Sequence, residues 1–169
     1  MKKLVIAISL ALLSLTAAAQ EGYSILIDKG SFTLALLDEG GRQVMKFPVA
    51  TGENPGQKTR NGDHKTPEGV FPVEWIQNTK GIMFDYHDGV GPVEAYGPWF
   101  IHMTTQGVNI GIHGTCPERD DRIGTRDSHG CIRLHNEDLL TLLPYVYPGM
   151  KVTIIPGPDD LVADNADKK

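Results

Sequence analysis

The apolar stretches of this chain are short, and turn-forming residues interrupt nearly every one of them. Nineteen glycines and eleven prolines are spread over 169 residues. That argues against a helical bundle, whose apolar stripes must run for several turns, and favours strands joined by loops. Ser24 to Asp28 and Thr33 to Leu37, split by Lys29-Gly30-Ser31, have the pattern of a hairpin, and Asp38-Glu39-Gly40-Gly41 turns the chain into a third strand, Gln43 to Val49. A polar loop from Thr51 to Gly69, with Asn54-Pro55-Gly56 and Asn61-Gly62 turns, leads to a strand from Val70 to Ile76. Gly81 to Gly97 reads as an ordered excursion, and Trp99 to Thr104 and Val108 to His113 as two strands joined at Gln106-Gly107. One helix is expected, with Asn136 as its cap, Glu137 and Asp138 in its first turn, and Leu139, Leu140, Leu142 and Leu143 as its buried face. Pro144 predicts a kink or tightening near Thr141 to Tyr145. Lys151 to Ile155 closes the sheet, and 157–169, poor in apolar residues, reads as a flexible tail. The expectation is one mostly β domain, 22–156, with one packed α-helix.

The amino terminus sets the compartment. Met1-Lys2-Lys3, an apolar run from Leu4 to Leu15 and the small residues Ala17-Ala18-Ala19 make residues 1–19 a signal peptide, with Gln20 as the first mature residue. The run is well short of the roughly 20 residues of a membrane span. Losing Lys2 and Lys3 takes the formal charge from −5 to −7. An acidic surface without a basic patch repels phosphate backbones, so nucleic acid is not an expected partner. Two cysteines, Cys116 and Cys131, are too few for a disulfide framework.

The chemistry concentrates in Gly111-Ile112-His113-Gly114-Thr115 and Ser128-His129-Gly130-Cys131-Ile132-Arg133. A cysteine attacks carbonyls as thiolate, and a nearby imidazole can take its proton to give a thiolate–imidazolium pair. Glycine before Cys131 allows a sharp bend and close substrate approach. Amides around Gly130 and Cys131 could face a developing oxyanion. Arg133, two residues on, would point to the same side in an extended segment and could grip a carboxylate.

The spacing of His113 from Ser128-His129-Gly130-Cys131, with Arg133 behind it, resembles the active-site signature of the L,D-transpeptidases, the YkuD-type catalytic domain. The likeness extends upstream to Val49-Ala50-Thr51-Gly52 and Thr66-Pro67-x-Gly69-x-Phe71, and downstream to Asn136. The resemblance implies a β-sandwich of mixed sheets with a helix after the motif. It implies Cys131 as nucleophile, His113 as base, the Gly114 carbonyl as third member of the triad, and His129 as a pocket-shaping or proton-assisting residue. Ser128 and Arg133 would orient the motif and bind the stem peptide, and His102 could line the donor groove. The implied reaction is acyl transfer on peptidoglycan stem peptides: loss of terminal D-alanine, then transfer to an amine of another stem, an envelope lipoprotein lysine or a D-amino acid. Water as acceptor would make a carboxypeptidase. No cofactor is implied, the location is the periplasm or cell envelope, and the oligomeric state stays open.

Two rival readings use the same residues. His113-x-x-Cys116 and His129-x-Cys131 could bind zinc, with His64, His87 and His102 in reserve, though Arg133 would oppose a cation. Alternatively, a Cys116–Cys131 disulfide could staple a non-catalytic envelope-binding domain.

Overall fold

The computed structural model describes residues 22–87, 89–105, 107 and 110–166, so the expected signal peptide lies outside the described residues. Ten strands dominate: β1 (Ser24–Asp28), β2 (Thr33–Leu37), β3 (Gln43–Pro48), β4 (Thr51–Gly52), β5 (Gly69–Asn78), β6 (Trp99–Met103), β7 (Ile110–His113), β8 (Arg126–Ser128), β9 (Ile132–Arg133) and β10 (Lys151–Ile155). Eight form one sheet in the order β3-β2-β1-β10-β5-β6-β7-β9, and β4 and β8 form a two-stranded ribbon. The sheet is mixed, because β1 with β10 and β7 with β9 run parallel and the other pairs antiparallel. This is the mostly β, mixed-sheet class expected.

Strand burial follows the alternation of the sequence. Ile25 and Ile27 in β1 and Val152 and Ile154 in β10 face the core, while their neighbours are at least partly open to solvent. Strand β7 is buried at all four positions, so both of its faces are covered. The sheet is curled at β5. Its first half pairs with β10 and its second half with β6, and the change of partner falls beside Pro72, which has no N–H for the ladder. The curl puts Leu34 and Leu36 of β2 in one cluster with Ile101 of β6 and Ile112 of β7. The sheet nearly closes. Just past edge strand β3, Ala50 exchanges two backbone hydrogen bonds with Arg133 of the opposite edge strand, β9, at 2.8 and 3.0 Å. The expected sandwich is thus one sheet bent over on itself, and the Ser128-His129-Gly130-Cys131-Ile132-Arg133 motif lies at the seam.

The helix after the motif, α1 (Asn136–Leu142), passes into a 3₁₀ turn at Leu143–Tyr145, where Pro144 demanded a tightening. Its cap differs from expectation. His135 occupies the N-cap without a side-chain bond, and the Asn136 amide instead clasps Thr115, accepting from its N–H at 2.9 Å and donating to its carbonyl at 3.0 Å. Leu139 and Leu142 are buried, but Leu140 is half exposed, because a seven-residue helix can aim only one stripe inward. The tail is also corrected. Residues Pro158–Ala166 form a second helix, α2, held by charge rather than by an apolar face. Asp160, fully buried, accepts from Lys29 at 3.0 Å, Arg126 at 3.2 Å and the Gly56 and Gly157 amides at 2.8 Å.

Candidate active site

A cavity of about 200 Å³ at the seam is lined by Phe84, Tyr86, Tyr96, Ile110, His113, Ser128, His129, Cys131 and Arg133. Two residues eighteen positions apart meet there because β7 and β9 are parallel neighbours in register, with Ile112 opposite Ile132 and His113 opposite Arg133.

His113 is held from all sides. Its Nδ1 donates to the Gly114 carbonyl at 2.7 Å, which leaves Nε2 as the nitrogen available to the cavity. Phe100 stacks parallel to the ring at 5.4 Å and Tyr96 meets it edge-on at 5.2 Å. Gly114 is fixed in turn. Its N–H donates to the Tyr96 carbonyl, and a Cβ there would lie 2.1 Å from the Asn136 side-chain oxygen, so the clasp on Thr115 requires glycine at 114. Burial lowers the His113 pKa to about 3; the Gly114 bond opposes this and Arg133 adds to it. Burial also raises the Cys131 thiol, against an amide donor at Gly111 and the positive charges of Lys58 and Arg133. Both shifts favour the thiol and the neutral imidazole over the thiolate–imidazolium pair.

The loop before Cys131 is tied internally. Ser128 Oγ donates to the Cys131 carbonyl at 2.6 Å and accepts from the Gly130 N–H at 3.0 Å. The Gly130 amide, expected to face an oxyanion, is engaged by this bond. Gly130 has φ +125°, and a Cβ there would lie 2.7 Å from the Lys65 carbonyl, so only glycine fits the bend. Thr66 Oγ1 donates to the Gly130 carbonyl at 2.9 Å and accepts from the Gly52 N–H at 2.8 Å, which attaches the polar loop to the motif.

Arg133 is almost wholly buried and ion-paired with Asp127, which also binds Arg122 at 2.8 Å and Arg119 at 3.3 Å. Its Nε has no hydrogen-bond partner among the described residues. Burial would raise the Asp127 carboxyl, but Arg133 and Arg122 hold it below the usual range.

The YkuD L,D-transpeptidase catalytic-domain family matches residues 22–154. The chain belongs to that family. A Bacillus licheniformis protein carrying the YkuD name is 33% identical over 134 residues, which cover 79% of this chain and 66% of the relative. An Escherichia coli (strain K12) protein, YcfS, named for L,D-transpeptidase activity, is 30% identical over 156 residues, 87% of this chain and 48% of the relative. The match thus spans between about half and two thirds of these relatives. Among solved structures, the NMR structure of the Enterococcus faecium L,D-transpeptidase catalytic domain is similar with TM-score 0.58 at 21% identity, covering 80% of this chain and 98% of that one. An L,D-transpeptidase from Mycobacterium tuberculosis H37Rv gives TM-score 0.59 at 19% identity over 79% of this chain and 57% of that one. At these identities the structural likeness speaks for the YkuD fold.

Within this YkuD domain the structure gathers Cys131, His113, His129, Ser128, Arg133, Gly130 and Gly114 at one seam. It leaves His102 aside. That residue is stacked at 3.8 Å on Trp75 and lies 3.3 Å from Glu74, beyond Phe100 from the cavity. Both cysteines are free thiols, so the disulfide staple is not formed. Nor is the quartet of His113, Cys116, His129 and Cys131 gathered for zinc; among the described residues the group that could share an ion is Glu53, His64 and His129. Three positioning residues had no individual signal in the sequence: Asp127, Tyr96 and Thr66. Only Thr66 lay in a recognisable motif, Thr66-Pro67-x-Gly69.

Proposed function

We propose that this domain is a peptidoglycan L,D-transpeptidase in which Cys131 is the nucleophile and His113 Nε2 the proton carrier. The observation that carries the reading is the 2.7 Å bond from His113 Nδ1 to Gly114, which fixes the tautomer and turns the basic nitrogen toward the cavity shared with Cys131.

A donor stem peptide enters with the carbonyl of its third residue over Cys131. As Sγ bonds to that carbon, the thiol proton passes to His113 Nε2, so the imidazole becomes charged only during the attack, opposite the oxyanion that forms on the substrate. The developing oxyanion is met by the Cys131 amide, the donor the Ser128–Gly130 bond leaves to this bend. Collapse breaks the amide to terminal D-alanine, whose nitrogen takes the proton from His113. An acceptor amine then attacks the thioester as it gives a proton to the neutral imidazole, and Cys131 leaves as thiolate and takes that proton back from His113. The acceptor is a stem diaminopimelate, a lipoprotein lysine or a free D-amino acid. Arg133, which lines the cavity together with Cys131, is the cation placed to support the donor carboxylate. The substrate lies outside the cytoplasmic membrane, so the proposed location is the cell envelope, in keeping with the leader pattern of residues 1–19.

Incubating the domain with disaccharide-tetrapeptide and reading the products by mass spectrometry tests this. Cross-linked dimer lacking one D-alanine, or an exchanged fourth residue, is the expected product; tripeptide alone would mean hydrolysis. Cys131→Ala abolishes all products, whereas Cys116→Ala leaves them. Turnover by the Cys131→Ala protein would end the proposal.

A further inference from the structure

At the rim of the Cys131 cavity, the fold brings together three side chains that are far apart in sequence. His64 stacks on His129 with ring centroids 4.2 Å apart and planes 19° from parallel, and Glu53 Oε2 lies 2.8 Å from His64 Nδ1. One donor atom from each of the three falls within 4.8 Å of the others.

The grouping is set by the backbone. Glu53 N–H donates to the Ser128 carbonyl at 2.9 Å, directly before His129, and Asn54 N–H donates to the His64 carbonyl at 3.1 Å. Strands β4 and β8 pair alongside. Three segments are thus pinned edge to edge with their donors on one side. His64 holds a left-handed backbone, φ +54°, a conformation that is uncommon away from glycine and persists where surrounding structure enforces it. Tyr86 and Phe84 meet the His129 ring edge-on at 5.7 and 6.4 Å.

We propose that Glu53, His64 and His129 form a binding site for a divalent transition metal of the zinc class, and that its occupancy restrains entry to the Cys131 cavity. Two imidazoles and a carboxylate are a borderline donor set suited to Zn²⁺, with a fourth position left for water or a ligand. Tetrahedral bonds of roughly 2.0–2.1 Å put neighbouring donor atoms about 3.3 Å apart. Closing from the observed spread takes small side-chain rotations, which the partly exposed Glu53 and His64 are free to make. The ion would hold His129 in place two residues before the nucleophile. It would act as a regulator and carry no part of the acyl transfer.

The test titrates Zn²⁺ into Cys131→Ala protein by calorimetry, so the catalytic thiol cannot be the ligand and the result is independent of acyl transfer. One equivalent is expected to bind. Glu53→Gln and His64→Asn, the latter chosen because asparagine tolerates the left-handed backbone, are each expected to weaken binding by roughly tenfold or more. Near-UV circular dichroism checks that the variants are folded. Co²⁺ substituted into the protein with Cys131 intact gives tetrahedral visible bands without a thiolate charge-transfer band. In the intact enzyme Zn²⁺ slows product formation, and Glu53→Gln relieves it. Absence of stoichiometric binding to the Cys131→Ala protein, or binding that both variants keep, overturns the proposal.

Discussion

The proposed catalytic pair, Cys131 and His113, is electrically silent at rest. A thiol pushed up by burial and an imidazole held near pKa 3 both remain neutral at pH 7, so Cys131 should be a slow nucleophile toward simple reagents. In metal-free buffer, iodoacetamide is expected to alkylate Cys131 more slowly at pH 7 than it alkylates the urea-unfolded chain. The rate should climb beyond pH 9, where an ordinary thiol levels off. Peptide mass spectrometry of timed samples reads this, and a fast rate independent of pH between 6 and 9 would mean a standing thiolate. At this scale the sequence was informative wherever the candidate site draws on contiguous residues. Ser128, Gly130, Cys131 and the His113-Gly114 pair were visible as a motif. Thr66, which holds the Gly130 carbonyl from sixty-four positions away, and Tyr96, whose carbonyl fixes Gly114, act through contacts that no local pattern encodes.

Among the elements, the strands were legible because each carries its own apolar alternation between turn residues, and Ser24–Asp28, Thr33–Leu37 and Lys151–Ile155 fall where that pattern put them. Helix α2 was not, because its anchor is a single carboxylate. Burial alone would raise the Asp160 pKa, but the Gly56 and Gly157 amides with Lys29 and Arg126 bring it down to about 2. The native carboxyl is thus depressed relative to the unfolded value of 3.8, so its stabilisation is full above about pH 4 and is lost as pH falls toward 2. The difference corresponds to about 2 kcal/mol. His113 acts in the same direction at higher pH. The unfolded chain takes up a proton near 6.5 that the folded chain refuses until about 3, so stability already declines across that window. Asp160→Asn is expected to cost about 2–3 kcal/mol in urea unfolding at pH 7, since it removes the charge that Arg126 and buried Lys29 share and leaves Lys29 with Glu68 alone. It should also flatten the pH dependence between 4 and 2. A variant as acid-sensitive as the parent would show that α2 is held by something else.

For the whole molecule, the closing of the sheet creates the site. The edges β3 and β9 meet at Ala50 and Arg133, and beneath that seam the Arg133 guanidinium is buried against Asp127. One arginine therefore has two candidate duties: completing the closure and meeting the donor carboxylate. They can be separated, because a buried ion pair is costly to break but often replaceable by apolar residues of similar volume. Asp127→Asn leaves Arg133 buried without its counter-charge and is expected to lose about 3 kcal/mol in urea unfolding, together with activity. Combining Asp127→Leu with Arg133→Met removes both charges and should recover most of that stability, because Arg122 is half exposed and can turn to solvent while Arg119 stacks on Tyr86 at 3.9 Å. If the guanidinium also binds substrate, the rebuilt seam stays impaired: KM for the tetrapeptide donor rises at least about tenfold while the fold melts near the parent temperature. Activity returning in step with stability would leave Arg133 a purely structural part of the seam and remove it from the account of donor binding.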